Sequence, residues 1–293
     1  MKEKTASITA EDVAGNRALE MLRPENERVC NDPYAVHFLN ERWKKLYKSS
    51  WRRFFFRVTG YFFLPGATNA VVARVRFIDE YIKICVNKGL EQLVILGAGY
   101  DCRAYRMPEL ETDIIVFDVD HPATQKEKVD KLTSISKTLP NHVVFVPYQF
   151  EKQGFQEKLI EMGYDTKKKS LFIMEGLIMY LEKEVIEDLL SFISNNSGPE
   201  SSIVFDFLPS GIENGTAKGK GGNFFHKWAK SKGEPFQFGI NQEELPQFLQ
   251  KNGFNNVKSI SAEECRNIYF HGASKNRILS ELFFFAQATV SSK

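Results

Sequence analysis

The residues best suited to chemistry lie in two short stretches. In the first, the apolar run Leu93-Val-Ile-Leu96 leads straight into Gly97-Ala98-Gly99-Tyr100-Asp101-Cys102-Arg103. Glycines at 97 and 99 let a backbone turn sharply and approach a ligand closely. A complete dinucleotide fingerprint carries a third glycine where Cys102 stands, which disfavours a pyrophosphate at this turn. In the second stretch, Phe117-Asp118-Val119-Asp120-His121-Pro122 puts a carboxylate 23 residues after Gly97, close to the ~20-residue offset at which acids hold ribose hydroxyls. Asp118 and Asp120 share a strand face by the period of two. Turn and carboxylate together indicate an adenosine-type ligand without a diphosphate, and S-adenosylmethionine is the candidate. The alternative is a tight strand-to-helix turn with no ligand.

These stretches need a scaffold, and the hydrophobic pattern supplies one. Up to about residue 90 the chain reads as helices at 14–22, 32–48 and 68–87, the last with Val71, Val75, Ile78, Ile82 and Val86 at helical spacing. Beyond it, apolar runs at 93–96, 114–117, 143–146, 171–174 and 203–207 alternate with helical patterns, the clearest at 183–195 and 241–252. Near-continuous apolar runs suit parallel strands covered on both faces. The prediction is an α/β fold: a doubly wound, mostly parallel Rossmann-like sheet, with ligand at the carboxyl ends of its central strands. The expected organisation is a helical N-terminal cap over 1–88, packed on the same domain as a core over 89–293 that carries an insert around 208–240. Residues 211–223, with five glycines in thirteen positions, read as a loop within that insert. The run at 282–290 reads as a terminal edge strand, possible in antiparallel pairing.

Composition narrows the class. The 293 residues are 43% hydrophobic and 26% charged, and 39 basic side chains face 37 acidic ones. A near-neutral balance supplies no global field for nucleic acid. Four cysteines without a CxxC pair argue against a zinc site or a disulfide framework. No metal is called for, and a reducing, cytoplasmic compartment is expected. The N-terminal stretch lacks an apolar core and no run is long enough to span a bilayer, so no membrane partner is expected.

Five motifs in order, DPY at 32–34, ARVRF at 73–77, LGAGYDCRAYR at 96–106, FDVDHP at 117–122 and MEGLIMYL at 174–181, resemble those of the leucine carboxyl methyltransferase-like family of S-adenosylmethionine-dependent methyltransferases. The resemblance runs from about residue 14 to the C-terminus. It implies that Arg74 pairs with the methionine carboxylate of the cofactor, for which a planar guanidinium is suited. It places the Gly97 backbone against the cofactor, Asp120 on the ribose and Glu175 near the methionine ammonium. Asp118 stands where relatives usually have Glu, so a ribose role shared with Asp120 is expected. A salt bridge to a nearby Lys or Arg is the structural alternative for Glu175. Gln149-Phe150 stands where the family usually has Asp-Leu; Gln149 can accept from the adenine amino group and Phe150 can pack on the ring. Arg17 is either a second basic residue at the cofactor or a solvated helix-face charge.

The implied activity is O-methylation of a carboxylate or hydroxyl, on a small molecule or a protein C-terminus. The oligomeric state is not legible. Other classes stay open: a nucleic-acid-modifying methyltransferase, or a non-catalytic module that binds S-adenosylmethionine. Between 43 and 63, nine of twenty-one residues are aromatic, with Trp43, Tyr47, Trp51 and Phe55 at i, i+4 spacing among many basic residues. The favoured reading is an aromatic stripe packed on the domain as core and lid, and the alternatives are contact with anionic lipid or nucleic acid. His121 reads as a loop residue, His226 as a weak base candidate, Tyr180 as an acceptor-orienting or packing residue, and Cys102 as an unactivated thiol.

Overall fold

The computed structural model describes residues 8–111, 113–136, 138–150, 152 and 154–291. Four helices come first: α1 (Ile8–Met21), α2 (Glu41–Lys48), α3 (Ser50–Phe63) and α4 (Ala67–Asn87). Strands and helices then alternate as β1 (Gln92–Leu96), α5 (Arg103–Arg106), β2 (Ile115–Asp120), α6 (Pro122–Ile135), β3 (Val143–Pro147), α7 (Phe155–Glu161), β4 (Ser170–Met174), α8 (Lys183–Asn195) and β5 (Ser202–Phe207). The chain continues through α9 (Gly222–Ser231), α10 (Leu245–Lys251), β6 (Phe254–Ser261), α11 (Ala262–Tyr269) and β7 (Phe284–Val290).

The seven strands form one sheet in the order β3-β2-β1-β4-β5-β7-β6. The first five are parallel, in the doubly wound arrangement expected. Strand order reverses between β1 and β4, and the crevice at a switch point of this kind is where open α/β sheets take ligands. Both faces are covered, which is why β1, β4 and β5 are buried along their whole length and read as near-continuous apolar runs. Leu93 and Ile95 pack with α4 residues such as Val75 and Ile78, while Val94 and Leu96 pack with α8 residues such as Ile186 and Leu190. This is the period-two alternation of a strand serving two layers. The last helix of the 1–88 segment is therefore one layer of the sheet sandwich.

Three local readings are corrected. The C-terminal run is antiparallel, but it lies inside the sheet, hydrogen-bonded to β5 on one side and β6 on the other. The edge belongs to β6, whose Asn255, Asn256, Lys258 and Ser259 gave no apolar run to find. The helix expected at 32–48 is one short turn followed by α2, which starts where Asn40 accepts from the Trp43 N–H at 3.0 Å. Ser49, extended at φ −118°, then separates α2 from α3. The aromatic stripe is thus split over two helices. Trp43 is buried on α1, whereas Trp51 and Phe55 face solvent.

Trp43 shows how tightly the first helices pack. Its Nε1 donates to Asp12 at 2.7 Å, and a Cβ on Gly15 would lie 2.2 Å from its ring. Gly15→Ala should therefore displace the indole and destabilise the protein by about 1–3 kcal/mol, read as a lower urea midpoint at constant slope.

Candidate cofactor pocket and its ion network

The glycine turn follows β1 directly. Gly97 and Gly99 have φ of +64° and +50°, backbone that side chains rarely adopt. The Gly99 N–H donates to one carboxylate oxygen of Asp120, and the His121 N–H donates to the other at 2.5 Å. Asp120 thereby fastens the β1 turn to the end of β2. Burial pushes its carboxyl up to about 6, only partly offset by the two N–H donors.

Asp118, two residues earlier on the same face, has a different position. Its carboxylate meets Lys128 of α6, whose side chain is fully buried, and burial still raises the Asp118 carboxyl. Asp118 is absent from the wall of the cavity that Asp120 lines. The shared ribose role expected for Asp118 is corrected accordingly, because α6 supplies a cation the strand pattern did not reveal.

A buried ion network forms beside the turn. Arg74, on the inner face of α4, donates from Nε to Glu175 at 3.1 Å and from Nη1 to Asp206 of β5 at 2.7 Å. Its Nη2 has no partner among the described residues. The other Glu175 oxygen accepts from Arg103 Nη1 at 2.6 Å. Arg103, with no solvent exposure, also binds Asp101 and reaches Asp79 at 2.7 Å, and Arg106 forks onto Asp79 at 2.8 and 2.9 Å. Burial opposes the charge on Glu175, but Arg103, Arg74 and Arg17 outweigh it and hold the carboxyl well below the usual carboxylate range. At Asp206 burial prevails over Arg74 and the carboxyl is raised. The Glu175 salt bridge, given above as the structural alternative, is present. Gly176 next to it has φ +62°, donates to Asp206 at 2.6 Å, and would set a Cβ 3.1 Å from Arg74.

One cavity of about 410 Å³ collects most of the expected residues: Arg74, Gly97, Gly99, Asp120, Gln149, Phe150 and Glu175 all line it. Arg17 lines it too. That residue is buried, 3.2 Å from Asp32 and donating to the Tyr100 carbonyl at 2.8 Å, with a buried Nε that has no partner. It is not a solvated charge. Gln149 lies 2.9 Å from His121 Nε2. The Gln149 atom at that distance is its amide nitrogen, and His121 Nδ1 accepts from the Ala123 N–H at 3.2 Å. The Gln149 carbonyl oxygen, the acceptor expected to face adenine, is not the atom that meets His121. His226 is absent from the cavity wall, 3.1 Å from the Ile212 carbonyl. Cys102 is fully buried, and burial pushes its thiol up. Asp206, Gly176 and Arg103 escaped sequence reading. The available signal was an acid inside the apolar run of β5, the same signal that marked Glu175.

Residues 10–194 match the family model for leucine carboxyl methyltransferases. The chain belongs to that family. It is 32% identical over 219 residues to YktD of Bacillus subtilis strain 168, assigned by name to the S-adenosyl-L-methionine-dependent methyltransferases, a span of 74% of this chain and 71% of that protein. A relative in Mycolicibacterium smegmatis, named for the same class, is 32% identical over 149 residues, and the chain spans 48% of its length. Among solved structures, one from Thermobifida fusca described as a methyltransferase superposes with a TM-score of 0.65 at 11% identity, covering 98% of this chain and 96% of that one. A duf574 family protein from Streptomyces avermitilis gives 0.57 at 9% identity, covering 97% and 98%. At such identities the likeness is one of fold.

In this methyltransferase-family chain, Lys128→Met leaves Asp118 buried beside an apolar side chain. The expected loss is about 3–5 kcal/mol of stability, measured by urea unfolding. Adding Asp118→Asn should restore part of it, since the neutral amide needs no counter-ion.

Proposed function

We propose that this S-adenosylmethionine-dependent methyltransferase methylates an oxygen, that of a carboxylate, on an acceptor with an apolar body. The observation that carries this reading is the division of the cavity into a charged floor and an aromatic roof. On the floor, the unpartnered Nη2 of Arg74 is a donor suited to the methionine carboxylate, and the Arg17 guanidinium in the same wall adds positive charge. Glu175 and Asp101, in a cluster with more carboxylates than guanidinium groups, suit the ammonium. Asp120 is placed for the ribose hydroxyls, and the Gln149 amide with Phe150 for the adenine. The residues present therefore fit the cofactor, which when bound supplies a methyl group already activated on a sulfonium sulfur.

The roof is formed by Trp43, Phe56, Leu64, Phe224, Trp228 and Phe236. It excludes water and would hold an apolar acceptor in line with the cofactor. Arg42 lines the same space and has no ion pair among the described residues. A guanidinium at that wall favours an anionic acceptor. Tyr180, also in the wall, has its hydroxyl pushed up by burial and is no base at neutral pH. A carboxylate needs none, whereas a hydroxyl acceptor requires proton removal.

Two measurements test this. Calorimetric titration with S-adenosylhomocysteine should show affinity falling as the pH drops through about 6, because Asp120 is raised to about 6 and the protonated form loses its acceptor capacity. Asp120→Asn should weaken binding about tenfold or more at pH 7.5 and flatten the dependence; a pH-independent Kd unaffected by the change would remove Asp120 from the ribose. Turnover screened on straight-chain monocarboxylic acids should be level with pH above about 7, and Arg42→Gln should raise KM about tenfold with kcat nearly kept. A rate climbing with pH on alcohol acceptors alone would overturn the carboxylate assignment.

A further inference from the structure

α3 is amphipathic in the wrong sense for a core helix. Its inner face is Arg53, Phe56 and Gly60, while Trp51, Phe54, Phe55, Val58, Tyr61 and Phe62 recur at three- and four-residue spacing on the side facing solvent. Phe62 is 75% exposed, Trp51 66% and Tyr61 58%. A contiguous apolar stripe of this kind is rare on a protein surface and marks a contact.

Charge says which contact. Arg52 and Arg57 flank the stripe on either side, and Lys45 and Lys48 of α2 continue the basic rim. None of these four has an ion pair among the described residues. Residues 41–63 hold seven basic side chains and one acid, Glu41, a net +6 in a chain whose total is +2. Aromatic residues on one face with arginine and lysine along its borders are the composition of a helix lying in the headgroup region of an anionic bilayer. No helix among the described residues is long and apolar enough to cross a membrane, so the contact is peripheral.

We infer that the outer face of α3, with the basic rim of α2, docks this enzyme on an anionic phospholipid surface. The placement has a functional consequence. The inner face of the same helix supplies Phe56 and Gly60 to the cavity wall, and Phe63 at its end stacks on Phe224 at 5.2 Å, itself a cavity residue. Docking therefore sets the bilayer against the helix that roofs the acceptor space. The docking surface rests on exposure and charge and does not depend on the carboxylate reading.

The test is vesicle co-sedimentation of the full chain without cofactor or acceptor. Vesicles mixing phosphatidylcholine with phosphatidylglycerol should carry the protein down at low salt and less at high salt, and phosphatidylcholine alone should not. A Trp51→Ser, Phe55→Ser, Phe62→Ser variant should lose about tenfold or more in partitioning with an unchanged melting temperature, because the altered side chains are exposed. Lys45→Glu with Lys48→Glu and Arg52→Glu should lose it as well. Failure to sediment with anionic vesicles, equal binding to neutral ones, or undiminished binding by the serine variant would overturn the proposal. So would a wild-type dimer in analytical ultracentrifugation that the serine variant abolishes, since the stripe would then be covered by a second copy.

Discussion

The structure turns on a buried cluster in which the carboxylates of Asp79, Asp101, Glu175 and Asp206 converge on the guanidinium groups of Arg74, Arg103 and Arg106. Charges removed from water are tolerated only when each is met by another, and removing one member leaves its partners unpaired. The cluster links α4 to the turn after β1, to the end of β4 and to β5. Its position at the switch point is what allows the glycine turn, Asp120 and Glu175 to face one cavity. A core of apolar residues alone would pack these elements, yet it would not place a free Arg74 nitrogen next to two acids.

The same cavity joins two unlike surfaces. Its floor is polar because β-strand carboxyl ends and left-handed glycines expose backbone N–H groups and acids there. Its roof is aromatic because α2, α3 and α9 lay their ring-bearing faces across it. α3 belongs to both the roof and the outer surface, and this double position connects what enters the cavity with what the molecule rests on. Ser49 makes it possible: by ending α2 in an extended residue, it frees α3 to turn its larger aromatic face outward.

The sequence by itself determined the parallel strands and the glycine turn, because strand burial and backbone freedom are written in residue type over a few neighbours. The helix at 183–195 was legible to the residue, and the parallel strands to within a few residues. Asp120 was legible from its offset after the glycine turn and Glu175 as an acid inside an apolar run, whereas Arg74 and Gln149 were legible only through the resemblance to the family's motifs. Tertiary structure alone decided which of these charges meet. Asp118 and Asp120 look alike on their strand, but only the packing of α6 brings Lys128 to one and leaves the other at the cavity. The polar strand β6 became an edge because β7 inserts beside β5, a pairing between distant segments that no local pattern encodes. For the aromatic stripe the helical period was readable from the spacing, but which side of it faces the core depends on where the chain breaks at Ser49 and what α1 already covers.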